Sequence, residues 1–174
     1  KLEPVSRVTF PLDNSKVKAI TSITGTAQDA LSGIASAAQI AVSIQEVSPG
    51  NAYWTGVVPG TFTGTSEMFY PLNGGTLGGS YIGTAWSFSV PLLRDGYTYR
   101  VRVRATDNAM PGGNVETAIS SITFIYDATP PLTGIVKPLN TRYYGNNASE
   151  PDYYLNLISG TASDAFGISK SEIQ

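Results

Sequence analysis

The sequence predicts an all-β fold: an antiparallel β-sandwich with one complete module, followed by the opening strands of a second. Three observations carry that prediction. Apolar residues recur with a period of two in several segments, the spacing of strands with one buried face. Between these segments lie Gly, Pro and Asn clusters suited to tight turns, at Ser48–Asn51, Asn73–Gly79, Arg94–Gly96 and Met110–Asn114. Finally, the opening of the chain returns near its end. PVSRVTFPLD (Pro4–Asp13) reappears as PLTGIVKPLN (Pro131–Asn140), with Pro138 following Pro11 by 127 residues (138 − 11). ITGTAQDALSGI (Ile23–Ile34) reappears as ISGTASDAFGI (Ile158–Ile168), with Asp164 following Asp29 by 135 (164 − 29). The second copy thus carries eight extra residues between its landmarks (135 − 127).

Taken in order, Val5–Phe10 and Ala19–Thr26 read as the first two strands. No stretch holds a helical period with caps. DALSGIASAAQIA comes nearest, but Gly33 and the alternation after it point to a turn running into a strand, with at most one helical turn at Asp29–Ile34. Ala38–Val47 places Ile40, Val42 and Ile44 on one face and Gln39, Ala41, Ser43 and Gln45 on the other. Tyr53–Ala85 lacks strong alternation and reads as an elaborated loop with one or two short strands, an insertion covering about residues 51–85. Beyond it, Ala85–Val90 alternates Trp86, Phe88 and Val90 against two serines, and Tyr99–Thr106 alternates Tyr99, Val101, Val103 and Ala105 against Arg100, Arg102 and Arg104. Ala118–Tyr126 sets Ile122, Phe124 and Tyr126 on one face. DATPP (Asp127–Pro131) follows; its two prolines lock φ and deny ladder hydrogen bonds, giving a stiff linker. The expected organisation is a module over residues 1–128, with a linker and truncated second module over 129–174.

Composition narrows the chemistry. Charged residues make up 14% of the chain, below the usual value of about 25%. The net charge of −2 advertises no nucleic-acid partner. Without cysteine there is no disulfide and no thiol nucleophile; without histidine the usual general base and the commonest zinc ligand are missing. A Ser-His-Asp triad cannot be assembled from these residues. No apolar run approaches the roughly 20 residues of a membrane helix. Scattered carboxylates and the lack of a phosphate-binding glycine motif point away from an enzyme.

LRDGYTYRVRVRATD (Leu93–Asp107) resembles strand F of fibronectin type III and bacterial Ig-like domains, with Leu93 and Tyr99 where such domains carry a tyrosine corner. The ordered series SGTAxDxxSGI, YWTG, WSFSVPL, DGYTYRVRVRATDNA and YDATPP is similar to a tandem bacterial Ig-like repeat across residues 1–128. The resemblance implies an Ig-like sandwich and a non-catalytic structural protein with an extracellular or cell-surface location, serving as spacer, adhesin or filament. An accessory or carbohydrate-binding module of a larger secreted enzyme is the alternative.

Each candidate site has a plainer reading beside it. Asp29 and its counterpart Asp164 would serve as calcium ligands, or as Asx turns capping their own loops. Asp107, Asn108, Asn114 and Asp127 would join a calcium site if they converge at one end of the sandwich. Trp54 with Tyr53 and Tyr81 would offer a sugar-stacking platform, or Trp54, at the end of a strand and before a long loop, would anchor the core or that loop, the reading we favour; Trp86, in phase with Phe88 and Val90, reads as core. Arg100, Arg102 and Arg104 read as a solvated stripe rather than a polyanion site. Tyr143, Tyr144, Tyr153 and Tyr154 flank the eight-residue insertion and suit an interface. Asn147 heads a glycosylation sequon. Residues 129–174 are too few to bury a core alone. Three completions stay open: further residues of a longer polypeptide, packing on the first module, or strand complementation by an identical chain.

Overall fold

The computed structural model describes residues 2–57, 60–74, 76–145, 149 and 155–172. The chain divides into two compact units, 1–128 and 129–174. In the first unit the strands are β1 (Val5–Phe10), β2 (Ser15–Val17), β3 (Ser22–Gln28), β4 (Ile40–Ser48), β5 (Ala52–Trp54), β6 (Phe62–Gly64), β7 (Tyr70–Pro71), β8 (Gly79–Ile82), β9 (Ala85–Ser89), β10 (Tyr97–Ala105) and β11 (Ser120–Tyr126). One sheet runs β1-β3-β9-β8 and the other β2-β11-β10-β4-β5-β6, with β7 also on β4. All pairings are antiparallel except β2 with β11, which is parallel. Among the described residues no helix is long and apolar enough to cross a membrane.

The two sheets form a β-sandwich around one apolar core. Period-two alternation supplies it: Ile40, Val42 and Ile44 from β4, Tyr99, Val101, Val103 and Ala105 from β10, and Ile122 and Phe124 from β11 face Ile23, Ala27, Trp86 and Phe88 of the other sheet. Val8, Gly25, Trp86 and Tyr81 lie in one cross-strand row of the first sheet. Only a glycine fits beneath the indole. A Cβ on Gly25 would stand 2.0 Å from the Arg7 carbonyl oxygen and 2.3 Å from Trp86 Cζ2.

Several elements depart from the expectations. The second strand begins and ends later than Ala19–Thr26, and β2 is a three-residue strand with no alternation to announce it. No helical turn forms at Asp29–Ile34; a 3-10 turn sits at Ala37–Gln39 instead. Among its described residues the 51–85 insertion holds four short strands, β5 to β8, rather than one or two. At two to four residues, none is long enough to display a period.

The second unit contains β12 (Leu132–Lys137) and β13 (Ser159–Ser163), an antiparallel hairpin. Its register copies β1–β3 pair for pair. Val5↔Gln28, Ser6↔Ala27, Arg7↔Thr26, Val8↔Gly25 and Phe10↔Thr24 become Leu132↔Ser163, Thr133↔Ala162, Gly134↔Thr161, Ile135↔Gly160 and Lys137↔Ser159. Even the irregularity falls in the same place, between Val8 and Phe10 and between Ile135 and Lys137.

The Gly25 seat gives a first prediction. Gly25→Ala should cost about 3 kcal/mol, because both neighbours it would strike are held in the sheet. Gly78→Ala, where an added Cβ meets nothing within 4 Å, should stay within about 0.5 kcal/mol. Urea unfolding followed by tryptophan fluorescence measures both, and equal costs would refute the packing argument.

Candidate functional site

The polar end of the first sandwich is built from the loops that leave β3 and β10. Asp29 follows β3 and turns its carboxylate back on its own loop. Its Oδ1 accepts from the N–H groups of Leu31 (3.0 Å), Ser32 (2.6 Å) and Gly33 (3.0 Å) and from the Ser32 hydroxyl (3.0 Å). The chain takes this path because Gly33 adopts φ 70°. The Ser32 N–H, more than any other contact, holds the Asp29 carboxyl below its ordinary range. Asp107 follows β10 at the mouth of a loop closed by the Thr106–Val115 bridge. Its Oδ1 accepts from the Ala109 N–H (3.0 Å) and the Asn114 N–H (2.5 Å), and its Oδ2 from the Asn114 side-chain amide (2.7 Å). Burial pushes the Asp107 carboxyl up, but these donors and the Ser32 hydroxyl outweigh it and hold it low. Asn108 donates its N–H to the Gly33 carbonyl at 2.9 Å, joining the two loops.

The expected four-residue convergence is therefore incomplete. Asp29, Asp107 and Asn114 share one end. Asp127 does not, because β10 and β11 run antiparallel with Tyr97 opposite Tyr126, which puts Asp127 at the far end. There its N–H donates to the Val17 carbonyl at 3.0 Å. Among the described residues no three acidic side chains gather at a spacing suited to a metal. Asp29 Oδ2 is buried without a partner, while Asp29 Oδ1 and Asp107 Oδ1 accept from loop N–H groups, the Asx-turn arrangement. Asp164 repeats it in the second unit, accepting from the Phe166 N–H at 2.7 Å.

A buried carboxylate that no sequence signal announced sits nearby. Glu116 accepts the Ser6 N–H (2.9 Å), the Ser6 hydroxyl (2.5 Å) and the Ala105 N–H (3.0 Å). It thereby bridges β1 of one sheet to the end of β10 in the other. Its partner Ser6 lies 110 residues away in sequence, so no local pattern reveals the pairing.

Of its two readings Trp54 takes the core and loop-anchoring one, not the sugar-stacking platform. Trp54 is 1% exposed, packs edge-on against Phe88 with ring centres 5.9 Å apart, and donates its indole N–H to the Val57 carbonyl. Tyr53 is half-buried in β5, and the Tyr81 hydroxyl donates to the Ala27 carbonyl at 3.1 Å. Trp86 is core, 2% exposed. The arginine stripe is half-buried, each member with a partner: Arg100 donates to Gln45, Arg102 pairs with Glu67, and Arg104 lies 4.2 Å over the Phe69 ring. These partners come from β4 and the insertion, which sequence alternation alone does not place. In the second unit Tyr143 is exposed, and the Tyr144 hydroxyl accepts the Leu139 N–H at 2.7 Å. Tyr153, Tyr154 and Asn147 lie outside the described residues.

The tyrosine corner is built. The Tyr99 hydroxyl accepts the Arg94 N–H at 2.8 Å, with Leu93 packed against the core. Burial pushes the Tyr99 phenol up to about 12, and the neighbouring Glu46 charge adds to the effect. Glu46 is itself buried at the end of the core, 3.8 Å from Arg94 Nη1.

No protein-family model matches this chain, and no match was found among curated proteins.

Two predictions follow from these buried polar groups. Glu116→Ala strands three donors and should cost about 3 kcal/mol in urea unfolding; a loss under about 1 kcal/mol would show the bridge to be dispensable. Tyr99 has a raised folded-state pKa, so its contribution is intact below pH 10 and falls as pH rises toward about 12. Tyr99→Phe should lose about 1 kcal/mol at neutral pH and flatten the decline in unfolding midpoint between about pH 10 and 12. A variant as alkali-sensitive as the parent would locate that decline elsewhere.

Proposed function

We propose that this chain is a non-catalytic structural segment of an extracellular surface protein or filament, built from tandem Ig-like β-sandwich modules. The observation that carries the reading is the hairpin register repeated pair for pair, bulge included, in β1–β3 and β12–β13. Independent backbone features support the Ig-like assignment: the four-strand order β1-β3-β9-β8 against β11-β10-β4, and the Tyr99–Arg94 corner. Trp54 and Trp86 are buried, so neither supports the carbohydrate-binding alternative. Spacing is a mechanical task, and one feature suits it. β2 and β11 are parallel, with Asn14 donating to the Thr123 carbonyl at 2.7 Å and Asp127 to the Val17 carbonyl at 3.0 Å. Tension that reaches β2 from the N-terminal side and β11 from the C-terminal side draws them in opposite senses along a shared axis. Their hydrogen bonds are then loaded together rather than one after another.

Because the chain has no cysteine, Leu2→Cys and Ala128→Cys supply unique handles for single-molecule pulling. The first unit should rupture in one cooperative high-force event. Asp13→Ala removes the carboxylate that accepts the Thr123 N–H and hydroxyl; it should lower that force and speed unforced unfolding roughly fivefold, the equivalent of about 1 kcal/mol. Stepwise rupture at low force, insensitive to Asp13→Ala, would remove the mechanical reading.

A further inference from the structure

The outer edge of β1 has room beside it for another strand, and one side chain stands in the way. In an antiparallel pair the N–H and C=O groups of alternate residues turn toward the partner and away from it. Ser6 lies opposite Ala27 of β3, yet its N–H runs the other way, to Glu116 Oε1 at 2.9 Å. Pro4 and Val8 share that outward side, and Pro4 has no N–H to offer. Among the described residues β1 pairs with β3 alone. A cleft of about 680 Å³ runs along its outer edge, lined by Ser6 and Val8 on one side and by Glu116, Ala118 and Ser120 on the other. An edge with space alongside is where a further strand adds. Here the Glu116 carboxylate, 4% exposed, takes the Ser6 N–H and hydroxyl and is moored from behind by the Ala105 N–H of β10. It stands where the carbonyl of an added strand would stand. Its neighbours hold the same edge by side chains: the Asn114 amide donates to the Leu2 carbonyl at 3.2 Å, and the Thr117 N–H and hydroxyl donate to the Glu3 carboxylate at 2.9 and 2.7 Å. Residues 114–117 thus cover the upper part of β1 without extending its sheet.

We propose that Glu116 is a plug: by holding the Ser6 N–H it keeps the β1 edge from pairing with the β1 edge of a second copy of this chain. The excluded occupant follows from the edge itself. Two such strands, antiparallel about a two-fold axis at Ser6, complement each other. Each Ser6 would give its N–H to the other's carbonyl, and each Val8 would give its own to the carbonyl of the other's Pro4. The missing donor at Pro4 leaves the central Ser6 pair to hold the seam together. Glu116 removes that pair, and what remains is an outer bond at each end with a break between them. A carboxylate suits the task better than a neutral group. It accepts from the backbone but cannot donate, so it satisfies the edge and offers an approaching strand nothing to build on. The plug belongs to the same unit as the edge it closes, which lets one module guard its own first strand.

The test is the association state of the full chain, read by sedimentation velocity. Glu116→Ala should shift the main boundary from the position of the parent chain to that of its dimer. Adding Ser6→Pro should return it, because the proline removes the outward N–H and leaves the pairing with β3 intact. Should Glu116→Ala fail to fold, Glu116→Asp takes its place: its carboxylate is one methylene shorter and falls short of Ser6, and the same shift and the same reversal are expected. Val103→Ala, in the buried face of β10, lowers stability with the plug in place and should sediment as the parent does. An unshifted boundary in the folded Glu116 variant overturns the proposal, as does a dimer that survives Ser6→Pro. An equal shift in Val103→Ala would trace association to lost stability and overturn it too. The rupture force of the first unit is measured separately, so failure of the mechanical reading and failure of this one are told apart.

Discussion

The contact on which the first module depends is the Trp86 ring lying on Gly25. It joins β3 to β9 at closer range than any side chain would allow, and it fixes where the rest of β9 falls. Two residues on, Phe88 meets Trp54 from the opposite sheet, and Trp54 meets Tyr70 at 4.8 Å. On the other side of the core Phe62, Tyr99 and Phe124 form a second run of rings, at 5.4 and 5.7 Å. The short strands of the insertion are placed by this packing. β5 and β6 deliver Trp54 and Phe62, and β7 delivers Tyr70. What looks from its length like an appended loop is one wall of the core.

The buried charges obey the same logic. An isolated carboxylate in an apolar interior is costly, and Glu116 and Asp107 are wrapped in donors, whereas Glu46 has only the Arg94 guanidinium, at 3.8 Å. Glu116 takes three, and Asp107 takes backbone donors on both flanks of its loop. Their effect is to lock connections: Glu116 ties the first strand to the far sheet, and Asp29 and Asp107 hold their loops against each other through Ser32 and Asn108. Such groups mark functional sites when something remains for a ligand to take. Here loop donors have taken Asp29 Oδ1 and both Asp107 oxygens, and Asp29 Oδ2 is left without a partner.

How much of this was legible in the sequence depends on the range of the interaction that decides each feature. Alternation in Ile40–Ile44, Trp86–Phe88 and Tyr99–Ala105 is local and long enough to display a period, so those strands and their buried faces could be read directly. The tyrosine corner at Leu93 and Tyr99 was legible only through the resemblance of Leu93–Asp107 to strand F of Ig-like domains. For Trp54 the sequence favoured anchoring but left the platform open, because its burial is settled by Phe88, 34 residues on (88 − 54), and its own strand has three residues. Glu116 was invisible for the same reason. The misplacement of Asp127 has a different origin: composition groups acidic residues near strand ends, but only pairing direction says which end.

The two hairpins separate local from non-local causes within one chain. β12–β13 reproduces the register and the bulge of β1–β3 although the connection between its strands is eight residues longer in sequence (135 − 127). Backbone pairing is therefore dictated by the strands themselves, by the proline that closes each first strand and the confined glycine in each second one. Burial is not so dictated. Ile23 and Ile158 occupy equivalent positions on equivalent backbones, and what differs is the strand alongside. Covering Ile158 as Ile23 is covered would contribute about 2 kcal/mol, more than the marginal stability of an isolated two-stranded hairpin. A module of this kind thus has its register written in its opening strands and its stability in its later ones. The strand that seats its indole on the central glycine turns the first into the second.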